Sequence, residues 1–187
     1  MRKLHSTGGF WLVLGALLLA ASLRLLFWFL VASVVHELGH IAMVRALGGR
    51  VGCFCLTGTG AVIRPSRERL FSYWEECLVA LSGPMASFLL AILAAAWGKH
   101  FGSGDAYLLT GLSLALGLFN LLPTGPLDGG RTARAILSWF TGPDRGDHLS
   151  RVLSKVVAAG LAWAGLWMFS QGGNFTLLLF ALWLLLR

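Results

Sequence analysis

The sequence predicts an all-α polytopic membrane protein with about six transmembrane helices, a short β-hairpin or re-entrant loop after the second helix, and a broken loop after the fourth. Composition is the first reason. Hydrophobic residues make up 57% of the 187 positions and charged residues only 12%, and the mean hydropathy is +0.75. Soluble domains carry about 25% charged residues, and disordered chains are poor in apolar residues. A water-soluble globule and a disordered chain are therefore both excluded.

The second reason is the length of the apolar runs, because a helix that crosses about 30 Å of hydrocarbon needs roughly 20 residues. The first apolar run, residues 10–47, is nearly twice as long as one span requires, so we expect two spans joined by a tight turn near Arg24. Gly83 and Pro84 are expected to bend or loosen the third span. We expect residues 1–187 to form a single membrane domain without an appended soluble domain. The predicted spans are residues 10–23, 25–47, 77–97, 106–122, 152–169 and 175–186.

The formal net charge of +7 reflects how basic residues are distributed along the chain. With six spans, thirteen of the fifteen Lys and Arg residues fall on one side, and only Arg24 and Lys99 fall on the other. The positive-inside rule identifies the basic side as cytoplasmic, so both termini are predicted to be cytoplasmic in a multi-pass cell-membrane protein. A positive net charge is also typical of nucleic-acid-binding proteins. Because membrane orientation accounts for the charge, we expect the lipid bilayer and no nucleic acid as a partner.

Three ionisable residues lie within the second predicted span, in the sequence HELGH at 36–40. Such residues are costly inside a membrane and indicate a functional site. Positions i and i+4 share a helix face, so His36 and His40 can bind one metal ion. Glu37 adjoins the first ligand and can act as general base on an activated water. A third protein ligand and an open position for water are needed, and zinc is the default metal for two imidazoles and a carboxylate.

Few residues are candidates for the third metal ligand. Cys53 and Cys55 follow His40 by 13 to 15 residues and could bind zinc as thiolates. Asp128 is the better candidate, because the prolines and glycine of residues 123–126 prevent a regular helix before it. Irregular backbone at membrane depth requires a lining of protein or water. Gly129 and Gly130 are expected to let the backbone turn. An ordinary turn aspartate at the end of a span remains the alternative.

The other carboxylates lie in arginine-rich loops, near helix ends or, for one of them, in a glycine- and serine-rich loop on the opposite side. We expect these groups to be solvated. They are Glu68, Glu75, Glu76, Asp105, Asp144 and Asp147.

HELGH at 36–40, together with NLLPTGPLDGG at 120–130, resembles the site-2 protease family of intramembrane metalloproteases, peptidase family M50. SGPMAS at 82–87 resembles a further Gly-Pro motif of that family, which often has asparagine where this chain has Ser87. The resemblance covers about residues 30–135. It implies three zinc ligands, a catalytic base, and a residue that holds the substrate backbone near the metal. These are, respectively, His36, His40 and Asp128, then Glu37, then Asn120.

The compact plan most resembles the sporulation factor IVFB branch of this family. Members of that branch often carry a C-terminal CBS domain, which this sequence does not contain up to Arg187, so the resemblance does not extend to regulation by a nucleotide-sensing domain. The resemblance implies an intramembrane zinc endopeptidase that cuts in or near a transmembrane segment of a membrane-tethered regulatory protein. Such a substrate could be a pro-sigma or anti-sigma factor, and membrane regulatory partners are a further expectation.

A membrane metal-ion transporter is the alternative function, because His and Asp inside spans also suit ion passage. Transporters often contain repeated halves with broken helices at corresponding positions. The two halves of this chain carry different motifs, and a glutamate beside a ligand is superfluous for transport. Proteolysis is therefore favoured over transport.

Residues 50–64 combine β-prone residues with glycines and predict a short hairpin or re-entrant loop beside the catalytic helix. An exposed edge there could pair with an unwound substrate by strand addition. A connector lying on the membrane surface is an equally favoured interpretation.

Overall fold

The computed structural model describes residues 4–6, 22–49, 51–57, 60–65, 71–173 and 175–185. The chain divides into two compact units, Met1–Phe119 and Asn120–Arg187, and each is described by itself. Most of the first predicted span, residues 10–23, lies outside the described residues.

The first unit combines a small sheet with long helices. The sheet has the order β1-β2-β3, in which β1 is parallel to β2, and β2 is antiparallel to β3 with an irregularity between Val51 and Cys53. The re-entry of residues 50–64 into the membrane remains a prediction. The strands are β1 (Leu4–Ser6), β2 (Val51–Thr57) and β3 (Gly60–Pro65), and the helices are α1 (Leu23–Ala46), α2 (Tyr73–Phe101) and α3 (Gly104–Asn120), which ends at the boundary between the units.

Local capping sets the ends of the two long helices of this unit. Ser22 precedes α1, and its hydroxyl accepts a hydrogen bond from the Leu25 amide at 3.3 Å. Arg24 is therefore in the first turn of α1. Ser72 and Glu75 form a reciprocal capping box at the start of α2, and Gly102 ends that helix in the left-handed conformation, φ +64°. Between these caps α2 is a single helix that continues through Pro84.

Small residues allow α1 and α2 to pack closely. A Cβ added at Gly39 would lie 2.5 Å from the backbone oxygen of Ser82, so only glycine permits this separation. Ala32, Ala94 and Leu109 form a buried cluster of side chains from α1, α2 and α3. Close approach of small residues is the usual way in which helices associate in membranes.

The opposite face of α1 carries large apolar side chains at helical spacing. These exposed residues are Leu23, Phe27, Leu30, Val34 and Leu38. An apolar exterior around buried polar side chains is typical of a membrane protein, because lipid is the external solvent. Among the described residues, three helices are long and apolar enough to span a membrane: α1, α2 and α5 (Pro143–Ser170). The predicted total of six spans is not confirmed.

The second unit contains helices joined by tight connections. After residues 121–127, the chain forms α4 (Asp128–Thr141), α5 (Pro143–Ser170) and α6 (Thr176–Leu185). Gly142, with φ +84°, separates α4 from α5. A Cβ added at Gly146 would lie 2.4 Å from the backbone nitrogen of Ser138, so α4 and α5 are in close contact.

One local expectation for this unit is wrong. Gly129 and Gly130 do not form a turn; they lie in the first turn of α4. A Cβ at Gly129 would lie 2.1 Å from the carbonyl oxygen of Leu121, so the missing side chain permits close packing of the preceding segment. The predicted span 152–169 lies within α5, which begins nine residues earlier at Pro143.

Candidate metal centre

Two histidine side chains meet on the buried face of α1. His36 is 4% exposed and His40 is 5% exposed. Their Nε2 atoms are 3.3 Å apart, and their ring planes are inclined by 79°. The i and i+4 spacing of HELGH therefore brings the two imidazole rings together at one point in the first unit.

The other nitrogen of each ring contacts α2. Nδ1 of His40 lies 2.7 Å from the carbonyl oxygen of Val79, and Nδ1 of His36 lies 2.9 Å from the hydroxyl of Ser87. A carbonyl can only accept a hydrogen bond, so Nδ1 of His40 carries the proton. In the neutral ring, Nε2 then carries the lone pair, which is the form that binds a metal.

The spacing of the two Nε2 atoms fits a shared zinc ion. Two nitrogens bound to one tetrahedral Zn²⁺ at about 2.0–2.1 Å would lie about 3.3–3.4 Å apart. The observed 3.3 Å agrees with that separation.

Gly83 of α2 lies directly opposite the two rings. A Cβ at this position would lie 2.2 Å from Nε2 of His40 and 2.8 Å from Nε2 of His36. Space beside both nitrogens therefore exists only because residue 83 has no side chain. The donor atoms and this cavity both fit a metal ion, which is a stronger indication than the ligand types alone.

Glu37 follows the first histidine on α1 and is half-buried. Its carboxylate is within the apolar helix but on a neighbouring face, because each residue advances the helix by about 100°. That position suits a group that acts on a ligand of the metal and does not itself bind the ion.

Asp128 and Asn120 both lie in the second unit. Asp128 is the first residue of α4 and is 7% exposed. Arg131, one helical turn later, places Nη1 3.5 Å from Oδ1 of Asp128. Asn120 is the last residue of α3 and is half-buried.

Three other candidate carboxylates have structural partners. Glu75 caps α2, Asp105 accepts hydrogen bonds from Arg24 and Trp28, and Asp147 lies 3.5 Å from Nη1 of Arg134. These contacts account for the three acids without a metal. The side chains of Cys53 and Cys55 lie outside the described part of the chain.

Arg24 and Asp105 join the first turn of α1 to the first turn of α3. The Arg24 guanidinium beside Asp105, together with the Trp28 indole N–H, lowers the pKa of that carboxyl. Asp105 precedes the predicted span 106–122, and its side chain is 46% exposed.

The contacts of Val79 and Ser87 with the histidines were not found by sequence reasoning. Val79, Gly83 and Ser87 follow one another at intervals of four residues, so they share one face of α2. The four-residue spacing indicates that the three residues share a helix face, but it does not reveal which helix that face contacts.

Comparison with known proteins agrees with the sequence resemblance. The profile of peptidase family M50 matches residues 24–105 and 105–163. The chain is 32% identical over 133 residues to the zinc metalloprotease MJ0392 of Methanocaldococcus jannaschii, an alignment that covers 68% of this chain and 38% of that protein. It is 27% identical over 136 residues to stage IV sporulation protein FB of Bacillus subtilis, covering 69% of this chain and 46% of that protein.

A solved structure is also similar. The site-2 protease from Methanocaldococcus jannaschii matches with a TM-score of 0.73 and 27% sequence identity, covering 98% of this chain and 87% of that one. The chain therefore has the site-2 protease fold. The chain spans about two fifths (38%) of the length of its curated relative MJ0392.

Proposed function

The chain belongs to peptidase family M50, and from this membership we propose that it is an intramembrane zinc endopeptidase. It hydrolyses a peptide bond in or near a transmembrane segment of a membrane-tethered regulatory protein. The observation that carries the proposal is the pair of buried imidazoles whose Nε2 atoms are 3.3 Å apart. Their spacing, their contacts with α2 and the space at Gly83 together favour one bound metal ion.

His36, His40 and Asp128 are the proposed zinc ligands. Two neutral imidazoles and a carboxylate form a typical catalytic zinc set that leaves one position open. Zinc bound there would supply Lewis acidity and an activated water at neutral pH. The family resemblance, rather than a distance, assigns Asp128 to this set.

Glu37 is the proposed catalytic base. Its carboxylate accepts a proton from the attacking water and delivers that proton to the leaving amine. The half-buried position on α1, one residue after His36, keeps this group beside the reaction and inside an apolar helix. Asn120 is proposed to bind the substrate backbone, since its side chain offers both a donor and an acceptor to a peptide group.

A substrate helix must be opened before cleavage, because its carbonyls are engaged in hydrogen bonds. We place the opened segment along β3, which lies at the end of the sheet order β1-β2-β3 in the described part of the chain. Strand addition supplies backbone hydrogen bonds to an extended peptide and is tolerant of sequence. This tolerance suits an enzyme whose substrates are apolar spans.

The substrate class is a membrane-tethered pro-sigma or anti-sigma factor, and the enzyme works in the cell membrane as a multi-pass protein with cytoplasmic termini. Membrane regulatory proteins are its further partners. The uneven distribution of basic residues supports the orientation, and the apolar exposed face of α1 supports a lipid environment.

The test compares the wild-type protein with Glu37→Gln after co-reconstitution with single-span candidate substrates. The variant should retain one zinc per chain and lose cleavage by about 10²- to 10⁴-fold, the contribution of a general base. Glu76→Gln makes the same change at a half-buried glutamate on α2 and should cleave normally. Cleavage retained in Glu37→Gln would refute the mechanism. Zinc flux into proteoliposomes that is unaffected by Glu37→Gln would favour the transporter instead.

A further inference from the structure

We propose that Ser87 is a positioning residue that holds the His36 ring in the orientation for metal binding and accepts a hydrogen bond from its Nδ1 when Nε2 binds the metal. The inference rests on the proposed metal site and extends it to a residue on a different helix. Ser87 has 0% exposure, and its hydroxyl lies 2.9 Å from Nδ1 of His36, 51 residues earlier in the sequence.

The face of α2 that contacts the two rings has a regular order. Val79, Gly83 and Ser87 succeed one another every four residues along the helix. The Val79 carbonyl contacts His40, the absent side chain of Gly83 leaves space beside both Nε2 atoms, and the Ser87 hydroxyl contacts His36. One helix face therefore contacts both rings through Nδ1 and leaves space at Nε2.

The two contacts differ in chemistry. The Val79 carbonyl can only accept, so it fixes the proton on Nδ1 of His40. A serine hydroxyl can either donate or accept, so Ser87 is compatible with both tautomers of His36. When both Nε2 atoms bind one cation, neither can carry a proton. Nδ1 of His36 must then carry it, and Ser87 must accept.

Without a metal, a second arrangement satisfies the same atoms. Because the proton of His40 is on Nδ1, Nε2 of His36 can donate to Nε2 of His40 across 3.3 Å, and Ser87 then donates to Nδ1 of His36. Exchange of the two arrangements requires His36 to lose its proton from Nε2 and take one up at Nδ1 while the Ser87 hydroxyl rotates, and neither helix has to move. Ser87 can therefore support His36 both before and after metal binding.

Ser82 shows what an ordinary buried serine does on the same helix. Its hydroxyl donates to the Val79 carbonyl at 2.7 Å, three residues back in its own helix. Such local bonding is common for helical serines. The contact of Ser87 instead crosses to α1 and ends on a proposed metal ligand. This difference assigns Ser87 a role in the site.

The experiment measures the zinc dissociation constant of the full-length protein in detergent by competition with a chelator. Ser87→Ala should weaken zinc binding by about 10- to 100-fold, the usual cost of losing the partner of a ligating histidine. Ser87→Thr keeps the hydroxyl and should recover most of the affinity. Ser113→Ala is the matched control, because Ser113 is also 0% exposed and its hydroxyl has no hydrogen-bond partner among the described residues.

A second measurement separates positioning from a general loss of structure. Nitrogen-15 NMR of histidine-labelled protein with added zinc should show His36 bound through Nε2 and protonated at Nδ1 in the wild type, and in Ser87→Ala a mixture of this ring with His36 that does not bind zinc through Nε2. Equal zinc affinity and an unchanged His36 spectrum in Ser87→Ala would overturn this inference and leave the metal site intact. Failure of the wild-type protein to bind zinc would overturn the proposed site itself.

Discussion

Gly83 faces His40 so closely that a Cβ at residue 83 would lie 2.2 Å from Nε2 of that histidine. The same Cβ would lie 2.8 Å from Nε2 of His36. Helix α2 thus contributes to the candidate site by lacking a side chain where the imidazoles of α1 meet.

Gly83→Ala should therefore abolish zinc binding. Alanine favours a helix over glycine by about 1 kcal/mol, so helix propensity alone would make the change stabilising. Contact of the new methyl group with both Nε2 atoms has the opposite effect and must displace a ring or separate the helices. We expect zinc affinity to fall at least as far as the roughly 100-fold upper limit for loss of an outer partner, measured by chelator competition.

Gly111→Ala is the control for this substitution. Gly111 lies inside α3, and a Cβ there has no heavy atom within 4 Å among the described residues. Zinc affinity should remain that of the wild type. Normal zinc binding by Gly83→Ala would contradict the placement of the metal beside this residue.

Gly39→Ala should destabilise the contact between α1 and α2. The added Cβ would lie 2.5 Å from the backbone oxygen of Ser82 and 2.7 Å from Cβ of Ala86. A backbone oxygen cannot rotate away, so the helices must move apart, at a cost of about 1–3 kcal/mol for overpacking. The free energy of unfolding in mixed micelles measures this loss. Gly160→Ala, at an open position on α5, should show none, and equal stability of the two variants would argue against the close packing.

The sequence predicts the part of the site that depends on local helix geometry. His36 and His40 are four residues apart in an apolar run, and a helix necessarily brings them to one face. The partners on α2 could not be predicted in the same way. Val79, Gly83 and Ser87 share a face, but which neighbour that face contacts depends on tertiary packing. A single sequence does not show which helices pack against each other.

The wrong expectation at Gly129 and Gly130 has a related cause. Consecutive glycines permit turns, and they also permit close approach of backbones. Local sequence does not distinguish these uses. In the structure, the carbonyl oxygen of Thr124 would lie 2.0 Å from a Cβ at Gly130, so close approach explains the residue. The path of residues 121–127 determines whether the glycines form a turn or permit a close backbone approach.

Asp105 should contribute to stability only while it is ionised. Its folded-state pKa lies below the ordinary value of 3.8, first because of the hydrogen bond from Arg24 and then because of that from Trp28. A lowered folded-state pKa means that the contribution is complete above the unfolded value and is lost as the pH falls through the folded value. Asp105→Asn should therefore lower the thermal midpoint at pH 7, and its difference from the wild type should shrink as the pH falls below 3.8 and vanish below the lowered folded-state pKa.

Salt provides the control for this pair. Arg24 and Asp105 are solvent-exposed, so 1 M salt, with a Debye length of about 3 Å, should weaken the effect at pH 7. A difference between wild type and Asp105→Asn that persists unchanged at pH 3 would show that the carboxylate charge is not responsible.

Asp128→Asn should remove the proposed third zinc ligand while preserving side-chain size at the start of α4. The neutral amide is a much weaker ligand for zinc than a carboxylate, so zinc should no longer protect the protein from unfolding. At a zinc concentration 100 times its dissociation constant, the wild type should gain about 2.7 kcal/mol. Asp147→Asn is a close control, because Asp147 lies 3.5 Å from Arg134 just as Asp128 lies 3.5 Å from Arg131. Full zinc protection of Asp128→Asn would place the third ligand elsewhere, and Cys53→Ser and Cys55→Ser would then identify whether a thiolate supplies it.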